Sequence, residues 1–325
     1  MKISPLRIKI RRGLVFLLMV GMIPVITNCR PVLPVDTSPL GNPAQADATY
    51  VGETTCIGCH QVENSHWSHT LHARVFRLNP QDELQARSCE ACHGPGSKHI
   101  TEPTNKSKIM AFTRTSGSSI LQQNAMCLQC HRGRERIYWP GSTHQVHDLG
   151  CSDCHNPMAQ FSRNGLLKKE SISLTCFTCH QQQRVQFRKR SHMPLLEGKI
   201  SCVDCHNPHG SNTTPLLKAD TVNQLCYQCH PEKRGPFIWE HAPVRENCLN
   251  CHLPHGSNHE KLLSVARPFL CEQCHTNRGH PNDLLTMANM PSGLRPDGRL
   301  MNRSCQNCHA QIHGSNHPSG VRFHR

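Results

Sequence analysis

The sequence predicts an irregular fold, mostly coil with short α-helices and little or no β-structure, and three observations carry that prediction. The 325-residue chain is 36% hydrophobic with cysteine counted in and 5% aromatic, which leaves it short of apolar surface for the cores of two ordinary domains. Twenty of its 21 cysteines fall in ten Cys-x-x-Cys-His boxes. These boxes recur along the chain in pairs, so the core must come from what they hold.

The boxes are Cys56, Cys59 and His60; Cys89, Cys92 and His93; Cys127, Cys130 and His131; Cys151, Cys154 and His155; Cys176, Cys179 and His180; Cys202, Cys205 and His206; Cys226, Cys229 and His230; Cys248, Cys251 and His252; Cys271, Cys274 and His275; and Cys305, Cys308 and His309. Paired cysteines at this spacing also describe zinc ribbons. Histidine fills only 25 of 325 positions, however, and it follows all ten pairs, which a zinc ribbon does not require. A box of this form attaches c-type haem: two thiols form thioethers, and the adjacent histidine binds the iron from one face. Ten c-type haems, one per roughly thirty residues, would supply the missing core as metals or disulfides do in small domains. The predicted fold class is therefore a multihaem cytochrome c, with coil and short helices wrapped around an extended chain of ten haems. Its apoprotein is expected to be largely unfolded, because cofactor binding and folding are coupled.

The formal charge is +14, but Lys2, Arg7, Lys9, Arg11 and Arg12 lie in a leader, which leaves the remainder near +9. Ten haems bring about twenty propionate charges, and a basic excess balances such a load, so no nucleic-acid partner is expected. The basic run at 184–190 reads as a solvated or propionate-pairing face, with a docking patch for an acidic redox partner as the alternative.

Residues 1–29 have the form of an export signal, a basic stretch followed by a thirteen-residue apolar run at 14–26 that is too short for a comfortable transmembrane helix. The run leads into Ile26-Thr27-Asn28-Cys29, which resembles a lipobox and makes Cys29 the candidate for lipidation. An uncleaved anchor, or cleavage that removes Cys29, are the alternatives. The expected location is the periplasm or outer membrane, since c-type haem is attached outside the bacterial cytoplasm. Residues 30–50, rich in proline and small residues, read as a flexible tether, and 51–325 as the haem-bearing region.

Between box histidines the spacings are 33, 38, 24, 25, 26, 24, 22, 23 and 34 residues, and the repeating unit is a pair of boxes, which predicts five two-haem modules. After the odd-numbered boxes come His72, His144, His192 and His241, 11 to 13 residues past the box histidine, and His280 only five past His275. The even-numbered boxes are followed by a short tag of Pro-His-Gly-Ser character, carrying His99, His209, His255 and His313. These nine are the candidates for the opposite faces of the irons. Three extended residues span only about 10 Å, so His209, His255 and His313 are expected to ligate neighbouring haems and tie consecutive haems together. The odd-box histidines have enough chain to return over their own haem.

The fourth box breaks the pattern, with Met158 where His209 and His255 have histidine. Met158 as an axial ligand would give one His/Met haem of raised potential. The preferred tenth imidazole is His147, three residues after His144, because methionine is more often packing than ligand. His66, His69, His259, His317 and His324 read as surface or propionate-bonding residues. Trp67, Trp139 and Trp239, just ahead of His72, His144 and His241, are expected to pack on porphyrin faces.

An iron that does chemistry on a small molecule needs an open or displaceable axial site. All ten boxes are intact and fifteen further histidines are available for ten sixth positions, so saturated irons that only pass electrons are expected, with no catalytic residue. The alternative is a multihaem reductase acting on nitrite, tetrathionate or a similar substrate.

The ten boxes, CEACHGPGSKH near the start, the STH and EHA histidines, CHLPHGSNH and the closing CQNCHAQIHGSNHPSG resemble the decahaem cytochromes of the MtrA/DmsE type over roughly 54–325. That resemblance implies a bis-histidine wire inserted in an outer-membrane porin-like β-barrel. Implied partners are periplasmic donor cytochromes on one side and an extracellular or outer-membrane terminal cytochrome or reductase on the other. Anaerobic respiration and extracellular electron transfer are the implied settings. Two departures stand out: Met158, and a lipid on Cys29, which would favour a lipid-anchored periplasmic shuttle to a separate reductase.

Overall fold

The computed structural model describes residues 45–275, 305–307 and 309–324. Cys29, His280, Cys308, the export signal and residues 30–44 of the expected tether lie outside them. All described residues belong to one compact unit, Ser38–Arg325.

Among the described residues there are short helices and isolated β-bridges but no named strand. Several helices open on a side-chain cap. Ser119 opens the longest, Ile120–Leu128, with a capping box to Gln122, while Ser171 opens Ile172–Cys176 and Thr221 opens Val222–Tyr227 by accepting the N3 amide. Each of these three runs into the first cysteine of an odd-numbered box. Within every box the histidine N–H donates to the carbonyl of the first cysteine at 2.9–3.1 Å. A box is therefore one helical turn, which puts its two thiols, three residues apart, on one face.

After each even box the chain folds back on itself. His155 bridges Leu167, His206 bridges Leu217 and His252 bridges Leu263, with Asn156 donating to Leu166, Asn207 to Leu216 and Leu253 to Leu262 at 2.6–2.8 Å. The tag inside this loop then lies across the strap of chain that precedes the distal histidine of the module before. Ser257 exchanges backbone hydrogen bonds with Ser191 at 2.7 and 3.0 Å, and Ser315 does so with Trp239 at 2.9 and 3.0 Å. Gly256, at φ +150°, is pressed so closely on Gln186 that a Cβ would lie 2.8 Å from its carbonyl carbon; Gly210 at φ +122° meets Tyr138 in the same way. Only glycine combines this φ with this approach.

The apolar core is small, as the composition predicts. Phe177, Phe187 and Leu195 form its one buried cluster among the described residues, flanked by Met193, Ile200 and Cys202. Trp67 and Trp139 are buried, with the Arg77 guanidinium over the Trp67 ring; Trp239 is more than a third exposed.

Candidate haem centres

The boxes come together in series. In each pair the first cysteines meet, Cys56 with Cys89, Cys127 with Cys151, Cys176 with Cys202, Cys226 with Cys248 and Cys271 with Cys305, thiol to thiol in hydrogen-bonding contact. Between pairs the second cysteine of one box neighbours both cysteines of the next, Cys92 with Cys127 and Cys130, Cys154 with Cys176 and Cys179, Cys205 with Cys226 and Cys229, and Cys251 with Cys271 and Cys274. The boxes thus adjoin one another in series from the first to the last. Burial pushes the Cys56 and Cys92 thiols up to about 11, and Cys202, hydrogen-bonded by Cys176, falls to about 7.

The even boxes share a device that orients their histidines. Nδ1 of His93, His155, His206 and His252 donates to the carbonyls of Met110, Gly165, Pro215 and Lys261 at 2.6–2.8 Å, and that of His309 donates to Arg322. A proton fixed on Nδ1 leaves the Nε2 lone pair for a metal, and such outer partners set both tautomer and ring orientation.

Two imidazoles on one iron have their ring centres about 6 Å apart, from two metal–nitrogen bonds of about 2.0 Å and the ring size. Seven box histidines meet a second histidine at that separation. The pairs are His60 with His99 at 6.2 Å, His131 with His72 at 5.8 Å, His155 with His209 at 6.2 Å, His180 with His144 at 6.3 Å, His206 with His255 at 6.1 Å, His252 with His313 at 6.2 Å and His275 with His241 at 6.1 Å. The donor set and its spacing fit haem iron held between two imidazoles. Burial, the largest cause in each case, lowers the pKa of His72, His99, His209, His241 and His255 and takes His313 to about 4, keeping these rings neutral as ligands must be.

The pairing skips. His72, His144 and His241 face the histidine two boxes on, not that of their own box, and His209, His255 and His313 face the histidine two boxes back, where sequence spacing suggested consecutive haems. The reason for the last three is the docking of tag on strap described above, which brings His209, His255 and His313 to the preceding even box, while His99 faces His60 of the first box. The fourth box, where Met158 raised a doubt, has His209 opposite its histidine. His147 is exposed at the end of the helix Thr143–Val146. His192, at the repeat position of His144, is not brought to a box histidine; it donates from both ring nitrogens, to the Lys189 carbonyl at 2.8 Å and Glu197 at 2.9 Å, and these raise its pKa. His309 has His324 at 4.6 Å, closer than two imidazoles on one iron.

Residues that sequence reasoning passed over fix the boxes to each other. Asn223, three residues before Cys226, donates to the Val244 and Arg245 carbonyls at 2.9 and 3.0 Å and accepts from the Cys248 amide at 2.8 Å; Asn124 spans Leu149 and Cys151 alike. Glu90, buried inside the second box, accepts from the amides of Val51, Gly52 and Gly96 at 2.9–3.2 Å. The Asn-x-x-Cys spacing shared by Asn124 and Asn223 was a readable signal; the carbonyls that orient the box histidines, being backbone, left none.

A sequence profile described as a doubled CXXCH motif matches residues 192–235 and 241–280, and one described as cytochrome c-type protein NrfB-like matches 89–174. Over 283 residues the chain is 37% identical to a protein of Shewanella baltica (strain OS185) named multiheme cytochrome MtrA, an alignment that spans 87% of this chain and 84% of that one.

Proposed function

Because the chain belongs to the family of the multihaem cytochrome MtrA, an electron-transfer family with covalently bound c-type haem, we propose that it carries electrons along ten haems as the wire of an outer-membrane conduit, seated in a porin-like β-barrel. The observation that supports this reading best is the unbroken series of box-to-box junctions combined with seven histidine pairs at iron-bridging separation.

Bound haem iron supplies reversible one-electron chemistry. The chain's own residues supply the rest. The twenty box cysteines would anchor the macrocycles, and the even-box histidines, tautomers fixed by backbone carbonyls, would present Nε2 to the metal. The half-buried histidines that face box histidines, His72, His99, His144, His209, His241, His255 and His313, would hold the irons from the opposite side and so keep small-molecule substrates from them. Cross-module pairing ties successive modules together, because the tags after the sixth, eighth and tenth boxes are bonded to the strap of the module before. The reading includes no catalytic residue, a location at the periplasmic face of the outer membrane, and donor and acceptor cytochromes at the two ends.

The test is to express the full chain with its genomic neighbours, extract membranes with detergent, and measure haem per polypeptide by pyridine haemochrome while asking what co-purifies. Ten haems and a stoichiometric barrel protein are expected. Ten haems in a membrane-released or lipid-anchored protein with no barrel would replace the conduit with a periplasmic shuttle, the reading that the lipobox-like Cys29 favours.

A further inference from the structure

We propose that the second haem, attached through Cys89 and Cys92 with His93 as its box ligand, takes Met158 as its other axial ligand and is a His/Met centre. The assignment rests on the ten-haem reading above.

It follows from register. Three tags place a histidine opposite the histidine of the preceding even box: His209 against His155, His255 against His206 and His313 against His252, all at 6.1–6.2 Å. The tag after the fourth box is built the same way. Its Met158 amide donates to the Asn156 side chain at 3.0 Å, as His209 does to Asn207 at 3.1 Å. Ala159 donates to the Asn156 carbonyl where Gly210 donates to Asn207, Gly256 to Leu253 and Gly314 to Gln311. Met158 is half-buried like the three histidines, and Ala159 is buried like the three glycines, so the altered tag stays docked. The strap it faces is the corresponding one too: residues 159–163 line a cleft with His66 and His69, just ahead of His72.

One step back in this register from the fourth box is the second. His93 carries the device of the other even boxes, Nδ1 donating to the Met110 carbonyl at 2.7 Å. The nearest tag histidine, His99, already faces His60. The doubt that Met158 raised by sequence therefore moves from the fourth haem to the second. A thioether in place of imidazole raises the potential of that iron relative to bis-histidine neighbours. An electron would then meet a local well one haem from the N-terminal end of the series.

Near-infrared magnetic circular dichroism of the fully oxidised holoprotein distinguishes thioether–imidazole from bis-imidazole ferric haem by the energy of the charge-transfer band. The expected result is a His/Met signal of about one haem, lost in both Met158→His, where that haem becomes bis-histidine, and Met158→Ala, which gains one high-spin haem. Peptide mass mapping of Cys89 and Cys92 is done alongside. A full complement of haem with no His/Met band would overturn the ligand assignment alone, and if His66→Ala/His69→Ala then turned one haem high-spin, the ligand would come from that strap. A haem missing from Cys89 and Cys92 would fail the ten-haem reading and take the assignment with it. Persistence of the band in Met158→Ala would assign it to another methionine and overturn the proposal.

Discussion

Gly256→Ala should loosen the fourth module's tag by about 2–4 kcal/mol, and the figure can be built from the contacts. A Cβ at this position would lie 2.8 Å from the Gln186 carbonyl carbon and closer still to its oxygen, far inside contact distance, so tag and strap must separate by an ångström or more. The two backbone hydrogen bonds between Ser257 and Ser191, at 2.7 and 3.0 Å, cannot follow that movement. Each contributes about 0.5–1.5 kcal/mol net, and alanine at φ +150° adds about 1 kcal/mol of backbone cost. Next to the substitution stands His255, 6.1 Å from His206, and an ångström is enough to break axial ligation there. The assay is urea unfolding of the holoprotein followed in the Soret band, with low-temperature EPR for spin state. Gly133→Ala, where nothing lies within 4 Å of the added Cβ, serves as the control and should change stability by less than about 0.5 kcal/mol. An unchanged midpoint and no high-spin haem in Gly256→Ala would refute the docking of tag on strap as the source of cross-module pairing.

Asn223→Ala removes all three hydrogen bonds that clamp the seventh box to the eighth and strands the Cys248 amide; a loss of about 2–4 kcal/mol is expected in the same unfolding assay. Glu90→Ala leaves the amides of Val51, Gly52 and Gly96 without their acceptor, so limited proteolysis should cut near residue 51 many times faster while haems beyond the third box keep their spectra. His313 is held at about 4, below the usual 6.5, chiefly by burial. The folded form therefore binds fewer protons than the unfolded form between those values, and its contribution to stability is complete above pH 6.5 and lost as pH falls towards about 4. A pH titration should keep that haem's low-spin signal down to about pH 4, and its loss well above that value would count against His313 as the partner of His252.

The boxes were legible because everything they need is local. Two thiols and an imidazole within five residues form one helical turn whatever the rest of the chain does, and low aromatic content already said that no conventional core could form. The caps Ser119, Ser171 and Thr221, each just upstream of an odd box, emerged only with the structure. Distal ligands were legible only as residue types at a repeat spacing. Chain length allowed His72 to reach its own haem or another, and nothing in eleven residues of linker chooses.

What the sequence determined alone is the chemistry: covalent c-type haem, its box ligands, and a two-box repeat. What the tertiary structure decided is which imidazole faces which. That choice depends on a tag meeting a strap some seventy residues away, through paired backbone bonds at Ser191 and Ser257 and through glycines at positive φ that admit the close approach. Backbone hydrogen bonds carry no side-chain signature, so the partner of His131 is written in packing between modules, and no linear spacing records it.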